Sequence, residues 1–447
     1  MTGFLDDFRA ELRELRSAND EFAKTYPQRP PETTVHTLYV PQDRFGPDLN
    51  EKMGRLARRA VESFGGDARS FAGVFGIAES LADPVYERML AQLERPVRRA
   101  NIDEEDGYGH RPDDEEDRHA RQAGTAAGEG VLARSNPPYL GYRIKALTNE
   151  CASRGLASLA LFLEALVAKT GGALPEHFVV TLPKISHPRQ VETLVAALAK
   201  LERRLGLASG AVALDLMIEL NTTLLYRGEL AALRRFIDAG AGRVVAVAFG
   251  TYDYTACLGI TAHYQSHVHP VADLARGLLQ IAVAGTAIRL SDGATTVMPV
   301  PPHKAAQGRP LTRDQERENE RVVHAAWKLH WDNIHHSFRN GYLEGWDLNP
   351  AQLPVRWAAM NHFYLSQLDD ATERLRVFVE EATHATLTKG AQFDDLATAE
   401  GCKNFFKQGL ACGALTEAEV KATGCTLEEI NAKSFREIAA ARAAGRG

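Results

Sequence analysis

The sequence has little cysteine and no long apolar run. Five of its 447 residues are cysteine, and none of them forms a Cys-x-x-Cys pair. The odd number and wide scatter predict free thiols in a reducing compartment. No apolar stretch reaches the roughly 18 residues that a bilayer-spanning helix needs, and the start, MTGFLDDFRAEL, lacks the regions of a secretion signal. We therefore expect a cytoplasmic protein without a membrane partner.

Basic residues are also in short supply for a protein that binds nucleic acid. Lysine and arginine number 52 against 58 aspartates and glutamates, for a net charge of −6, whereas nucleic-acid-binding surfaces are basic. Phosphate-binding glycine motifs are missing too: the turn after the first predicted strand reads VPQDRFG, and no G-x-x-x-x-G-K-[ST] occurs. These absences exclude nucleic acid as a partner and disfavour an open nucleotide-binding sheet.

The sequence does contain about eight alternations of an apolar strand with an amphipathic helix. Near-continuous apolar runs are typical of parallel strands buried on both faces. The predicted strands lie in the segments TVHTLYVPQDRF, VRRANIDEED, YLGYRIKAL, HFVVTLPKI, AVALDLMIEL, RVVAVAFG, AIRLSDGATTVMPV and LEGWDLNP. The predicted helices lie at about 51–64, 78–98, 154–169, 188–205, 228–239, 270–284 and 311–339. Eight such units predict an α/β protein with a closed (β/α)8 or TIM barrel.

Helical patterns flank the predicted barrel on both sides. Phe4, Phe8, Leu12 and Leu15 recur at helical spacing before it. After about residue 355 the pattern is all-helical, with three capping boxes, Thr416 with Glu419, Thr426 with Glu429 and Ser434 with Glu437. The sequence therefore predicts an N-terminal helix and linker (1–32), a catalytic barrel (33–365) and a C-terminal helical extension (366–447).

Charged residues stand at the predicted carboxyl ends of the strands, where barrel enzymes place their chemistry. They are Asp103, Glu104, Glu105 and Asp106 after strand two, then Arg143, Lys184, Glu219, Asp253 and Asp292 on strands three to seven. Carboxylates on neighbouring strands suit a hard cation such as Mg²⁺ or Mn²⁺, which favours Glu219 and Asp253 as metal ligands. Arg143 offers a planar fork for a carboxylate or a developing oxyanion. Gly250 would let the backbone approach a substrate.

These segments resemble, in order, the motifs of the HpcH/HpaI aldolase and citrate lyase β-subunit-like family, within the phosphoenolpyruvate/pyruvate barrel superfamily. The resemblance covers about residues 33–365. It is carried by TLYVPQDRF, IDEEDGYG, GYRIKAL, LPKISHPRQVETL, LMIELNTTLL, AFGTYDYTACLG and GWDLNPAQLPVRWAAMNHFY. The chain departs from the family at the closing I-H-P motif, where Asn349 replaces the histidine.

The resemblance implies a metal-dependent carbon–carbon lyase or aldolase that acts through an enolate. Its substrate would be a hydroxy acid, a keto acid or a hydroxyacyl-CoA, and its barrels are expected to form a homo-oligomer. By the same resemblance Mg²⁺ (or Mn²⁺) is held by Glu219 and Asp253. The implied catalytic residues are Arg143, Glu105 and Asp106, and the implied substrate-binding residues are Arg143, Lys184, Gly250 and Thr251.

Several alternatives stay open at this point. The same barrel could support malate synthase-like condensation or phosphoenolpyruvate chemistry, or bind an acid without catalysis, and Lys184 could form a Schiff base. The segment HYQSHVH could be a transition-metal cluster, a substrate-facing loop or a polar loop; its histidines are His263, His267 and His269. A second histidine set reads as structural, and the loop 301–310 as a candidate lid; that set is His330, His335 and His336.

Overall fold

Eight parallel strands form a nearly closed barrel in the computed structural model, which describes residues 8–27, 34–230, 232–305, 309–380, 386–388, 392–394, 396–432 and 437–438. The strands are β1 (His36–Pro41), β2 (Arg99–Asp103), β3 (Tyr139–Arg143), β4 (Val179–Leu182), β5 (Ala213–Ile218), β6 (Val244–Phe249), β7 (Arg289–Ser291) and β8 (Gly345–Asp347). Their hydrogen-bonded order is β8-β1-β2-β3-β4-β5-β6-β7. A parallel bridge between Ala294 and Trp346 brings the two outer strands together. The predicted TIM barrel is confirmed.

Helices connect the strands and continue beyond the last of them. They are α1 (Arg9–Thr25), α2 (Leu49–Phe64), α3 (Ala68–Phe75), α4 (Glu79–Gln92), α5 (Asp113–Ala133), α6 (Ala152–Thr170), α7 (Pro188–Leu205), α8 (Leu233–Ala239), α9 (Thr251–Cys257), α10 (Pro270–Val283), α11 (Arg313–Arg339), α12 (Leu353–Leu365), α13 (Leu368–Glu380), α14 (Leu396–Cys412), α15 (Glu417–Lys421) and α16 (Leu427–Ala432). Helix α7 has its predicted bounds, because Pro188 suits the first turn and Gly206 ends the helix at a φ of 70°.

The barrel interior is polar, and its two-residue period positions the site. On β2, Arg99, Asn101 and Asp103 share one face, since side chains alternate along a strand. Arg99 pairs with Asp215 across the barrel, and both are almost fully buried. Glu219 follows Asp215 by four residues, an even number, so its side chain is also directed into the barrel. It lies at the carboxyl end of β5.

Some predicted elements differ from the structure. Strand β7 is three residues long rather than spanning 287–300, and α3 was not predicted; its caps are Asp67, which accepts from the Ser70 amide, and Gly76. A short hairpin, Leu225–Tyr226 with Glu229–Leu230, delays the predicted helix at 228 until Leu233. A second hairpin, Thr386–Thr388 with Gln392–Asp394, interrupts the extension that was predicted to be all-helical.

Two of the three predicted capping boxes form. The Glu419 amide donates to Thr416 Oγ1 at 3.3 Å and the Glu429 amide to Thr426 Oγ1 at 3.1 Å, each with the reciprocal bond to the glutamate. Ser434 and Phe4 lie outside the described residues. Every helix in the described ranges is too short or too polar to span a bilayer. The domain boundaries after residues 32 and 365 stay predictions.

Candidate functional site

Arg143 and Asp103 form the fixed part of the site. They are directly opposite each other at the ends of β3 and β2. Arg143 Nε and Nη2 donate to the two oxygens of Asp103, both at 2.7 Å, and both side chains are buried. Two backbone amides, of Glu105 and Gly107, also donate to the Asp103 carboxylate at 2.9 Å. This bidentate pair holds the guanidinium plane in one orientation at the barrel mouth.

Lys184 is the centre of the cluster. Its Nζ lies 2.5 Å from Glu105 Oε1, 2.8 Å from Asp106 Oδ2 and 3.7 Å from Asp253 Oδ2. Its backbone amide donates to Glu219 Oε1 at 2.6 Å. The residue has a φ of +50°, a left-handed conformation that is strained for a residue with a side chain and is often found at functional sites.

The surrounding carboxylates keep Lys184 charged. Burial opposes the charge, but attraction to Glu219 and Glu105 outweighs it and raises the pKa of Lys184 above its usual value. A lysine that forms a Schiff base needs a lowered pKa so that its amine is free. The geometry therefore disfavours the Schiff-base alternative.

Glu219 and Gly250 are packed against each other, which explains the glycine after β6. A Cβ at position 250 would lie 2.6 Å from Glu219 Cβ and 2.8 Å from its Oε2. Glu219 is 1% exposed. Burial raises its pKa to about 8, and repulsion from Asp253 acts against the attraction of Lys184. Burial therefore dominates, and the attraction of Lys184 and Arg143 offsets it only in part.

The other predicted site residues lie around Arg143, Lys184, Glu219 and Gly250. Glu105 bridges the two cations, with Oε2 3.3 Å from Arg143 Nη1, and burial raises its pKa. Asp106 is half exposed; burial raises its pKa, but hydrogen bonding from Lys184 outweighs this and lowers it. Asp253 is 44% exposed in the first turn of α9. Thr251 is buried beside the segment that follows β7, where a Cβ on Gly293 would lie 2.4 Å from its Oγ1.

The carboxylates of the site have the chemistry to bind a hard cation. Glu219, Asp253, Glu105 and Asp106 offer only carboxylate oxygens, the ligands that Mg²⁺ and Mn²⁺ prefer, and the missing Cβ of Gly250 leaves room beside Glu219. Among the described residues, no group of three or more histidine, cysteine, aspartate or glutamate side chains is arranged for a metal ion. In this structure Glu105, Asp106 and Asp253 lie around the Lys184 ammonium instead, and Glu219 accepts from the Lys184 backbone amide.

A family model described as "Domain of unknown function (DUF6986)" matches residues 15–438. The chain belongs to this family.

Solved structures show which barrels the DUF6986 chain is similar to. A citrate lyase from Burkholderia xenovorans LB400 has a TM-score of 0.56 and 18% identity, covering 90% of this chain and 99% of that one. Haloferax volcanii malate synthase matches at a TM-score of 0.45, with 13% identity and 91% and 96% coverage at 3 mM glyoxylate. Its magnesium/glyoxylate complex matches at 0.45, with 15% identity and 91% and 97% coverage. No curated protein matches the chain. At these identities the citrate lyase likeness shows the fold, and membership of the HpcH/HpaI family stays a prediction.

Asp292 does not join the site, although it follows a barrel strand of the DUF6986 protein. Its carboxylate is fully buried against Arg276 on α10, with Oδ1 and Oδ2 at 2.8 and 2.9 Å from Nε. His267 Nε2 lies 3.2 Å from Asp292 Oδ2 and Ser337 donates to the same oxygen at 2.6 Å. The expectation that all the strand-end charges share one rim was therefore wrong for this residue.

The three histidines of HYQSHVH do not converge. His267 is buried with Asp292, His269 accepts a hydrogen bond from the Val271 amide at the start of α10, and His263 is exposed beside Tyr264. The transition-metal reading of this loop is wrong for the described residues. His330 instead contacts Thr295 and Asp347 in the interior, as expected of a structural residue. Part of the candidate lid, 306–308, lies outside the described residues.

Glu104 also turns away from the mouth, because it has the opposite strand parity to Asp103. It is fully buried behind β2, near Lys145, Glu116 and Arg154. Burial raises its pKa to about 8 in spite of the nearby cations. The folded protein therefore holds a proton that the unfolded chain loses at much lower pH.

We expect Glu104→Gln to flatten the pH dependence of stability. Between pH 4.5 and about 8 the native carboxyl stays protonated while the unfolded one ionises, so wild-type stability falls as pH rises. This one group contributes a slope of about 1.4 kcal/mol per pH unit. Glutamine has no proton to lose. The free energy of unfolding of the variant should therefore rise relative to that of the wild type as pH increases to about 8. Urea unfolding at pH 5–8.5 measures this, with exposed Glu87→Gln on α4 as the control. Parallel curves for Glu104→Gln and wild type would contradict it.

Proposed function

We propose that this DUF6986 protein is a divalent-metal-dependent carbon–carbon lyase or aldolase. It would act on a hydroxy acid, a keto acid or a hydroxyacyl-CoA through an enolate. One observation carries the proposal: carboxylates that follow β2 and β6 meet around the Lys184 ammonium, and Glu219, after β5, accepts a hydrogen bond from the Lys184 backbone amide. The name of the Burkholderia citrate lyase agrees with this class of reaction, although that likeness shows the fold alone.

The charge balance of the cluster supports a missing cation. Two positive side chains face five carboxylates, a formal balance of −3 when all are ionised; these are Arg143, Lys184, Asp103, Glu105, Asp106, Glu219 and Asp253. An anionic substrate would be repelled from such a mouth. A divalent ion would reduce this negative excess from −3 to −1 and would favour the ionised form of Glu219, whose pKa is raised chiefly by burial.

The roles of the residues follow from their positions. Glu219 and Asp253 would hold the ion, which when bound supplies Lewis acidity towards a substrate carbonyl. Arg143, locked by Asp103, presents a fixed positive charge to the oxygen on which the enolate charge develops. Glu105 keeps Arg143 and Lys184 in place through its two oxygens. Lys184 supplies the second positive charge for a substrate carboxylate.

We expect metal removal to abolish turnover. The protein is stripped with EDTA and assayed for aldehyde or keto-acid release from a panel of hydroxyacyl-CoA thioesters and hydroxy-keto acids, with dehydrogenase-coupled NADH oxidation as the signal. Activity should fall about 100-fold or more and return with Mg²⁺ or Mn²⁺. Cleavage that survives EDTA would sink the metal-dependent mechanism.

The same preparation separates the alternatives. Thiol release from acetyl-CoA with glyoxylate would instead favour the condensing reaction, and metal binding without turnover of any panel member a non-catalytic barrel. Binding is read independently of activity as an Mg²⁺-dependent rise in melting temperature. It should be lost in Asp253→Asn and kept in Asp238→Asn, a matched change of an exposed side chain on α8. Equal shifts in both variants would remove Asp253 from the metal site.

A further inference from the structure

Helix α1 carries an exposed apolar seam. Its large apolar side chains Leu12, Leu15 and Phe22 are 44%, 56% and 55% exposed. All residues from 10 to 24 are exposed. A helix of 17 residues is only marginally stable in water by itself. A partner that covers the seam would stabilise it.

The spacing of the seam is that of a coiled coil. Leu12 falls at an a position of a heptad, and Leu15 and Phe22 fall at the d positions. The remaining a position is Asn19. A single buried asparagine at a is a known device for fixing register and two-stranded pairing. The seam is thus complementary to a second copy of itself.

The charges beside the seam select the parallel orientation. In a parallel pair, Glu11 at g faces Arg16 at e of the other helix, an attractive contact, and the two Asn19 side chains meet. In an antiparallel pair with a facing d, Arg16 would face Arg16 and Asn19 would face Leu15. Like charges and an unpaired amide against leucine are unfavourable.

We propose that α1 pairs with α1 of a second copy of this chain as a parallel two-stranded coiled coil, which makes the protein a dimer or an assembly of dimers. The two-fold axis runs along the coil, as in other isologous contacts. The pairing involves none of the residues at the barrel mouth, so it stands independently of the proposed reaction.

Light scattering coupled to size exclusion tests the pairing on the full chain. The wild-type mass should be at least twice the 49.0 kDa of one chain, and Leu15→Asp should halve it. Ser17→Asp, on the outer face of the same helix, should leave it unchanged. Because α1 is exposed, both variants should keep the wild-type melting temperature of the barrel. A monomeric wild type, or an unchanged mass for Leu15→Asp, overturns the proposal.

Cysteine cross-linking tests the orientation. Asn19→Cys should form a covalent dimer on mild oxidation, because the parallel coil puts the two positions side by side, whereas Ser17→Cys and wild type should not. The exposed stripe of α10, with Leu274 and Ile281 at 62% and 71% exposure, is the rival seat for α1. Loss of the dimer in Leu274→Asp together with no cross-link from Asn19→Cys would place α1 there and refute the parallel coil.

Discussion

Gly250→Ala is expected to abolish metal binding and turnover although it adds a single methyl group. The new Cβ would lie 2.6 Å from Glu219 Cβ and 2.8 Å from Oε2, closer than atoms can pack. The backbone of Gly250, at φ −91° and ψ 82°, is accessible to alanine, so the effect is steric. Glu219 must move, and the amide of Lys184 loses its acceptor. Overpacking of this kind costs about 1–3 kcal/mol, while displacing a metal ligand costs far more activity than stability.

The measurements are the Mg²⁺-dependent melting shift and the cleavage assay. Gly277→Ala is the matched control, because a Cβ there, within α10, meets nothing within 4 Å. It should keep both properties and gain up to about 1 kcal/mol of stability, since alanine is the better helix former. A wild-type Mg²⁺-dependent melting shift in Gly250→Ala would mean that Glu219 is not a metal ligand. The proposed metal-dependent reaction would then lack one of its two ligands.

The architecture could be predicted from the sequence because it depends on local patterns. Apolar runs alternate with amphipathic segments of regular length, and Pro188 and Gly206 mark the ends of α7 to the residue. The strand-end charges could be predicted for the same reason: Arg143 and Glu219 each come directly at the end of an apolar run. Where the apolar run is weak, as in β7, the predicted strand was more than four times as long as the observed one.

The contacts within the site could not be predicted, because they depend on strand parity and on distant partners. A shift of one residue reverses the face of a strand, so Asp103 enters the mouth while Glu104 is buried behind it. Asp292 likewise faces away from the mouth and contacts Arg276 and His267. The alternation of Arg99, Asn101 and Asp103 was the available signal for the missed role of Asp103 as the partner of Arg143. Nothing local marks Lys184 as a residue with positive φ.

Arg143→Met is expected to remove activity and to destabilise the barrel. Removing one member of a buried ion pair costs about 3–5 kcal/mol, because the other charge stays buried without compensation. Here that charge is on Asp103, which is 1% exposed and would keep only the amides of Glu105 and Gly107. Turnover should be lost with the guanidinium, since a positive charge aimed at a developing oxyanion contributes about 100-fold or more.

A double-mutant cycle separates the two effects. Arg143→Met with Asp103→Asn removes both charges, so part of the lost stability should return in urea unfolding while activity does not. Arg189→Met breaks an exposed pair with Glu192 and should change stability by less than about 1 kcal/mol. Arg143→Lys keeps the charge but not the fork, and should fall between wild type and Arg143→Met in both measurements. If the double variant is no more stable than Arg143→Met, the lost stability does not come from the unpaired Asp103 carboxylate. If Arg143→Met alone keeps its turnover, the oxygen that gains charge in the reaction is stabilised by another residue.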